Sequence, residues 1–134
     1  METDPEPVGD SSTNVLLWFA LDLVCVLGFV VVGNLTHGTP LGEYLGTAWP
    51  FVVGLVVAWM APGTRDVPTI LWPTGVLVWA VTTVVGLGLR WASGDGLSGA
   101  FPLVTAAVLA VLLIGWRVVP EVLVRRRGRQ ARYL

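Results

Sequence analysis

Residues 15–32 read VLLWFALDLVCVLGFVVV. One charge, Asp22, lies inside this run, and no other residue within seven positions of it is charged. At about 1.5 Å rise per residue, a helix over this stretch covers most of a hydrocarbon layer of about 30 Å and reads as a membrane span. A carboxylate there opposes insertion by roughly 2.5–3.5 kcal/mol on insertion scales. A helix that keeps one turns it toward other helices or a wet cavity. The rest of the chain has to supply those neighbours.

Three further apolar runs follow. With the first, they predict helices over 15–33, 44–61, 69–89 and 101–124. Ser12, Thr13 and Asn14 offer N-caps to the first helix, and Gly33-Asn34 offers a stop. Residues 34–43 read as a short polar loop. Trp49-Pro50 and Trp72-Pro73 sit near the starts of the second and third helices, where a proline costs few internal hydrogen bonds. Ala61-Pro62-Gly63 breaks the second helix, and the turn-rich Ser93-Gly94-Asp95-Gly96 follows the third. Pro120 is expected to bend or end the fourth near Val119. The fold class is therefore all-α, a four-helix transmembrane bundle over 15–124. It is flanked by an acidic, disordered N-terminal tail (1–14) and an Arg-rich tail (125–134). Composition agrees: 54% of residues are hydrophobic and mean hydropathy is +0.76. Only 13% are charged, against about 25% in an ordinary globular domain. A length of 134 residues gives one domain.

Charge placement predicts orientation. All eight basic residues are Arg, and Arg125, Arg126, Arg127, Arg129 and Arg132 fall in the last ten positions. Four spans put both termini and Arg65 on one side, with Arg90 alone on the other. The positive-inside rule then predicts a multi-pass cell-membrane protein with both termini cytoplasmic. The first span lacks the positive n-region of a signal peptide and a following cleavage site, so it is expected to be retained. Trp18, Trp59, Trp72 and Trp116 fall toward the inner boundary and Trp49 and Trp91 toward the outer one, as an aromatic belt would. Trp79 falls mid-membrane and needs a partner for its N–H.

Small residues predict the packing seams: Gly46, Pro50, Gly54 and Ala58 on the second helix; Gly75, Thr82 and Gly86, with Trp79, on the third; Pro102, Ala106 and Ala110 on the fourth. Thr82 and Thr83 are expected to bond back to their own helix carbonyls. Asp22 and Arg117 have comparable depths in an antiparallel arrangement, so an ion pair between them is geometrically open. Alternatively Arg117 snorkels to the interface while Asp22 bonds Trp79 or Thr82. At the far end, Glu43 and Arg90 either form a rim pair or, with His37 and the Gly94–Gly96 loop, line an outer mouth. Asn34-Leu35-Thr36 matches a glycosylation acceptor pattern but hugs the membrane. Cys25 is the only cysteine and His37 the only histidine, so no intrachain disulfide and no metal site are expected.

Several of these residues also occur together as a pattern: Asp22; Gly33 and His37; Thr47-Ala48-Trp49-Pro50-Phe51 with Gly54; Pro73-Thr74-Gly75 with Trp79 and Thr82; Gly86 with Leu89-Arg90; and Gly115-Trp116-Arg117. The pattern resembles a family of small prokaryotic four-span membrane proteins known only as a domain of unknown function. The resemblance covers all but the two tails and implies a fold and a location, with no activity. It also implies a basic residue after the glycine ending the first helix, where this chain has Asn34.

No nucleotide-binding loop, nucleophile elbow, metal-binding helix or paired general acid and base is present, so neither an enzyme nor a cofactor is expected. One short basic run does not make a nucleic-acid site, and the Arg-rich tail reads as a topology determinant facing anionic lipid. Two readings remain. In one, the chain is a structural or accessory membrane component, a homo-oligomer or a companion of a larger membrane protein. In the other, it is a small oligomeric transporter or channel in which Asp22 couples to protons or cations.

Overall fold

An apolar chain surrounded by lipid can satisfy its backbone only within helices or a closed barrel. The computed structural model describes residues 11–97 and 99–132, and its regular elements there are all helical. Helix α1 is Ser11–His37, and a 3-10 turn, Leu41–Glu43, leads into α2 (Tyr44–Met60). A kinked π turn, Leu71–Gly75, in which Trp72 is extended (φ −124, ψ 129), leads into α3 (Val76–Ala92). Helix α4 (Phe101–Leu109) continues through a second π turn, Ala110–Ile114, into α5 (Gly115–Arg132). Four segments are long and apolar enough to cross a membrane: Asn14–His37, Leu41–Met60, Leu71–Ala92 and Phe101–Gly128. The chain is a four-helix transmembrane bundle. Large apolar side chains such as Val24, Val32, Val84, Leu103 and Val111 point outward, as they do where lipid is the solvent.

Element boundaries differ from the sequence reading in four places. The third helix starts later than the expected residue 69, because Trp72 is extended, and runs past residue 89 to Ala92. Helix α1 runs past Gly33 to His37, because the left-handed cap is at Gly38, with φ +66. Around that cap, Thr39 N donates to Asn34 O at 2.9 Å, closing the helix end. At its other end α1 already includes Ser11–Asn14; residues 1–10 of the expected tail lie outside the described residues. The last helix passes through Pro120 and reaches Arg132. A proline removes one backbone donor without forbidding helix, and the exposed turn beyond it gains an Arg125–Glu121 pair at 2.9 Å.

The tightest seam joins α2 and α3. A Cβ on Gly54 would lie 2.8 Å from the Thr82 carbonyl oxygen, and one on Gly86 would fall inside the edge of the Phe51 ring. Pro50, Gly54 and Ala58 are buried, as are Thr82 and Gly86 opposite; Gly75 is buried too but faces Arg117 of the fourth span, and Gly46 is exposed. The fourth span packs differently from expectation. Pro102, Ala106 and Ala110 are only half-buried, and Thr105, Leu109 and Leu113 are buried instead. Long side chains bridge to this span, so bulky residues fill the gap: the mid-bundle Trp79 donates its indole N–H to Ala106 O at 2.8 Å. Phe29 and Phe51 meet edge to face at 5.4 Å, joining α1 to α2. The Thr82 and Thr83 hydroxyls are buried but make no bond back to their helix carbonyls.

Candidate functional site

Asp22 and Arg117 are both fully buried and meet at the end of the bundle where α1 begins and α5 ends. The guanidinium faces the carboxylate fork to fork: Nη1 donates to Oδ1 at 2.9 Å and Nη2 to Oδ2 at 2.7 Å. Two indoles complete the carboxylate. Trp116 Nε1 donates to Oδ1 at 2.7 Å and Trp59 Nε1 to Oδ2 at 3.0 Å. Two bonds on each oxygen saturate the lone pairs of an ionised carboxylate. Charge-assisted, bidentate pairing of this kind is the strong form of the interaction.

The arginine is equally occupied. Its Nε donates to Pro68 O at 2.9 Å and its Nη1 also to Leu113 O at 2.7 Å. Pro68 belongs to the α2–α3 connection, so this bond ties that loop to the fourth span. Gly75, in the π turn opening α3, leaves room for the arginine stem: a Cβ there would stand 2.9 Å from Arg117 Cδ. Aromatic rings wall the group off. Trp18 stacks on Trp116 at 5.5 Å with 6° between planes, and Phe19 meets Trp59 edge to face. Arg117 Cζ stands 4.4 Å from the Trp116 ring centroid. Every span thus contributes to one polar core.

Of the residues singled out for this site, the structure joins Asp22 to Arg117 and leaves Trp79 and Thr82 elsewhere. Trp79 bonds the Ala106 carbonyl, and Thr82 lies in the α2–α3 seam. Arg117 does not snorkel. Trp59 is 4% exposed and belongs to the core rather than to an interfacial belt. Trp49, Trp72 and Trp91 are exposed, as belt residues would be.

A second feature occupies the opposite end. His37, Glu43 and Arg90 line one cavity of about 810 Å³, together with Asn34, Asp95 and Thr105. Glu43 and Arg90 form no ion pair among the described residues; instead Arg90 Cζ stands 4.4 Å over the Phe101 ring. Asn34 is buried, accepting a 3.3 Å bond from Thr47 Oγ1 at its Oδ1.

With this geometry in view, the profile of a family described as "Protein of unknown function (DUF3054)" matches residues 19–120. The chain belongs to the DUF3054 family. No curated protein and no solved structure matches it. The matched stretch holds the polar core except Trp18, and the whole wall of the far cavity. In this DUF3054 chain the sequence reading missed Trp59, Trp116 and the Pro68 and Leu113 carbonyls as partners of the ion pair. Trp59 carried a usable signal, an indole at the depth of Asp22, but a position along a helix gives depth and not the direction faced. The Pro68 carbonyl had no signal at all.

Proposed function

We propose that this DUF3054 protein is a structural or accessory component of the cell membrane, without enzymatic activity. Its buried polar core fixes how the four spans meet, and it works as a homo-oligomer or beside a larger membrane protein. The observation that carries this reading is the state of Asp22: fully buried, paired with Arg117, and accepting four hydrogen bonds. A proton- or cation-coupling carboxylate has to exchange partners during each cycle. Here exchange would leave a buried guanidinium uncompensated, which is costly in an apolar surround. On this reading both termini face the cytoplasm, supported by Arg65 and the C-terminal arginines at one end against Arg90 at the other.

Proton and cation flux into liposomes carrying the purified protein, wild type beside Asp22→Asn, tests the proposal. The expected result is no flux from folded wild type, and a variant that accumulates poorly or loses its oligomeric state. An Asp22→Asn protein that assembles normally while losing a pH-dependent wild-type flux would overturn it in favour of a small transporter or channel.

A further inference from the structure

The cavity at the end of the bundle away from the termini is built differently from the polar core. In the core every polar group is matched; here three are not. Asn34 Nδ2, Arg90 Nε and Thr105 Oγ1 are buried without a hydrogen-bond partner among the described residues, and all three belong to the wall of this one cavity. Asn34 is 6% exposed and Thr105 0%. An unmatched buried polar group is costly, more so when charged, so native proteins rarely keep several together. Two of the three atoms can only donate, and one of those carries the arginine charge. Their common complement is an oxyanion. Phe29, Val30, Phe101 and Val104 give the wall an apolar part beside its polar groups. A volume of about 810 Å³ falls in the range of small-molecule sites, which combine an apolar lining with a few placed polar groups.

We propose that this cavity binds an oxyanion joined to an apolar body, with the oxyanion held by Arg90 and Asn34, the Thr105 hydroxyl adding a further bond, and the apolar part against Phe29 and Phe101. The stacked Phe101 ring holds the Arg90 guanidinium in place from one side. Glu43 and Asp95, also on the wall, repel a second negative charge, so the ligand carries a single anionic group. The same chemistry is offered by a free organic monoacid and by the phosphodiester of a membrane lipid. This site is separate from the ion-paired core and stands whether or not the accessory reading holds.

The test uses the full chain purified in dodecyl maltoside. Octanoate is titrated by calorimetry, and retention of phosphatidylglycerol is followed by native mass spectrometry. Wild type is compared with Arg90→Gln, Asn34→Leu and Thr105→Val. Saturable octanoate binding assigns the site to a free acid, and one-to-one lipid retention assigns it to a lipid headgroup. In either case Arg90→Gln weakens binding roughly tenfold or more, as expected for loss of a charged hydrogen bond. Thr105→Val weakens binding while leaving the melting temperature of the ligand-free protein unchanged or higher, because the hydroxyl it removes bonds nothing. A purely structural threonine would not split the two readouts in this way. That variant also keeps the test open should Arg90→Gln fail to fold. Binding of neither probe overturns the proposal, as does binding unaltered by Thr105→Val and Asn34→Leu together.

Discussion

Asp22 is expensive to insert and more expensive to leave alone. Replacing one member of a buried pair strands the other, at a cost of about 3–5 kcal/mol. Asp22→Asn and Arg117→Leu are each predicted to lower stability by that order, measured by unfolding in detergent. Trp59→Phe keeps the ring against Phe19 but deletes one donor to a charged acceptor, so a loss of about 1.5–3 kcal/mol is expected. Arg117→Lys keeps the charge and loses the fork, and it is predicted to recover only part of the arginine's contribution. The pair was open in the sequence as a geometric possibility, because the first and fourth spans each carry one intramembrane charge at comparable depth, but depth alone did not choose between pairing and snorkelling. Its aromatic shell was not legible, since Trp59 and Trp116 fit an interfacial belt equally well by position along their helices. The far-end residues His37, Glu43 and Arg90 were legible as neighbours, but not the unmatched atoms of Asn34 and Thr105. Those depend on directions that only the packed bundle sets.

Among the helices, the α2–α3 seam is the place where backbones approach closely, and its glycines were readable from their four-residue spacing. Gly54→Ala places a methyl against the Thr82 carbonyl oxygen and Gly86→Ala places one in the Phe51 ring. Each is predicted to destabilise by about 1–3 kcal/mol through overpacking. Gly28→Ala is the control: nothing lies within 4 Å of its added Cβ, so no loss is expected. A melting series over the three variants checks the contrast. Trp72-Pro73 marked the kinked turn at Leu71–Gly75, but the second turn, the π turn at Ala110–Ile114, left no trace in composition or spacing. Apolar runs are the same whether a helix turns regularly or widely, and the consequence shows only in packing. At the second turn, neighbouring side chains donate to carbonyls of the fourth span: Cys25 to Leu112 and Trp79 to Ala106. The passage of α5 through Pro120 was equally invisible, because a proline in a helix and a proline that ends one have the same sequence signature.

For the whole molecule, the number of spans follows from hydropathy alone, since each run is long enough to cross and too apolar to stay in water. The proposed orientation rests on the arginines: a reporter active only outside the cytoplasm, fused after Leu134, is predicted to stay silent, and activity there would reverse the proposed topology. The bundle is asymmetric along its axis. One end is closed by matched charges and stacked indoles, and the other holds an open cavity with unmatched donors. The central claim is that the matched end is a lock. Its most direct measurement is a double-mutant cycle on unfolding free energy, with Asp22→Leu, Arg117→Met and the pair combined. Each single change is predicted to lose about 3–5 kcal/mol and the combination to recover a substantial part, short of full recovery because the Trp59 and Trp116 N–H groups lose their acceptor. Single variants as stable as wild type, or losses that simply add, would contradict it.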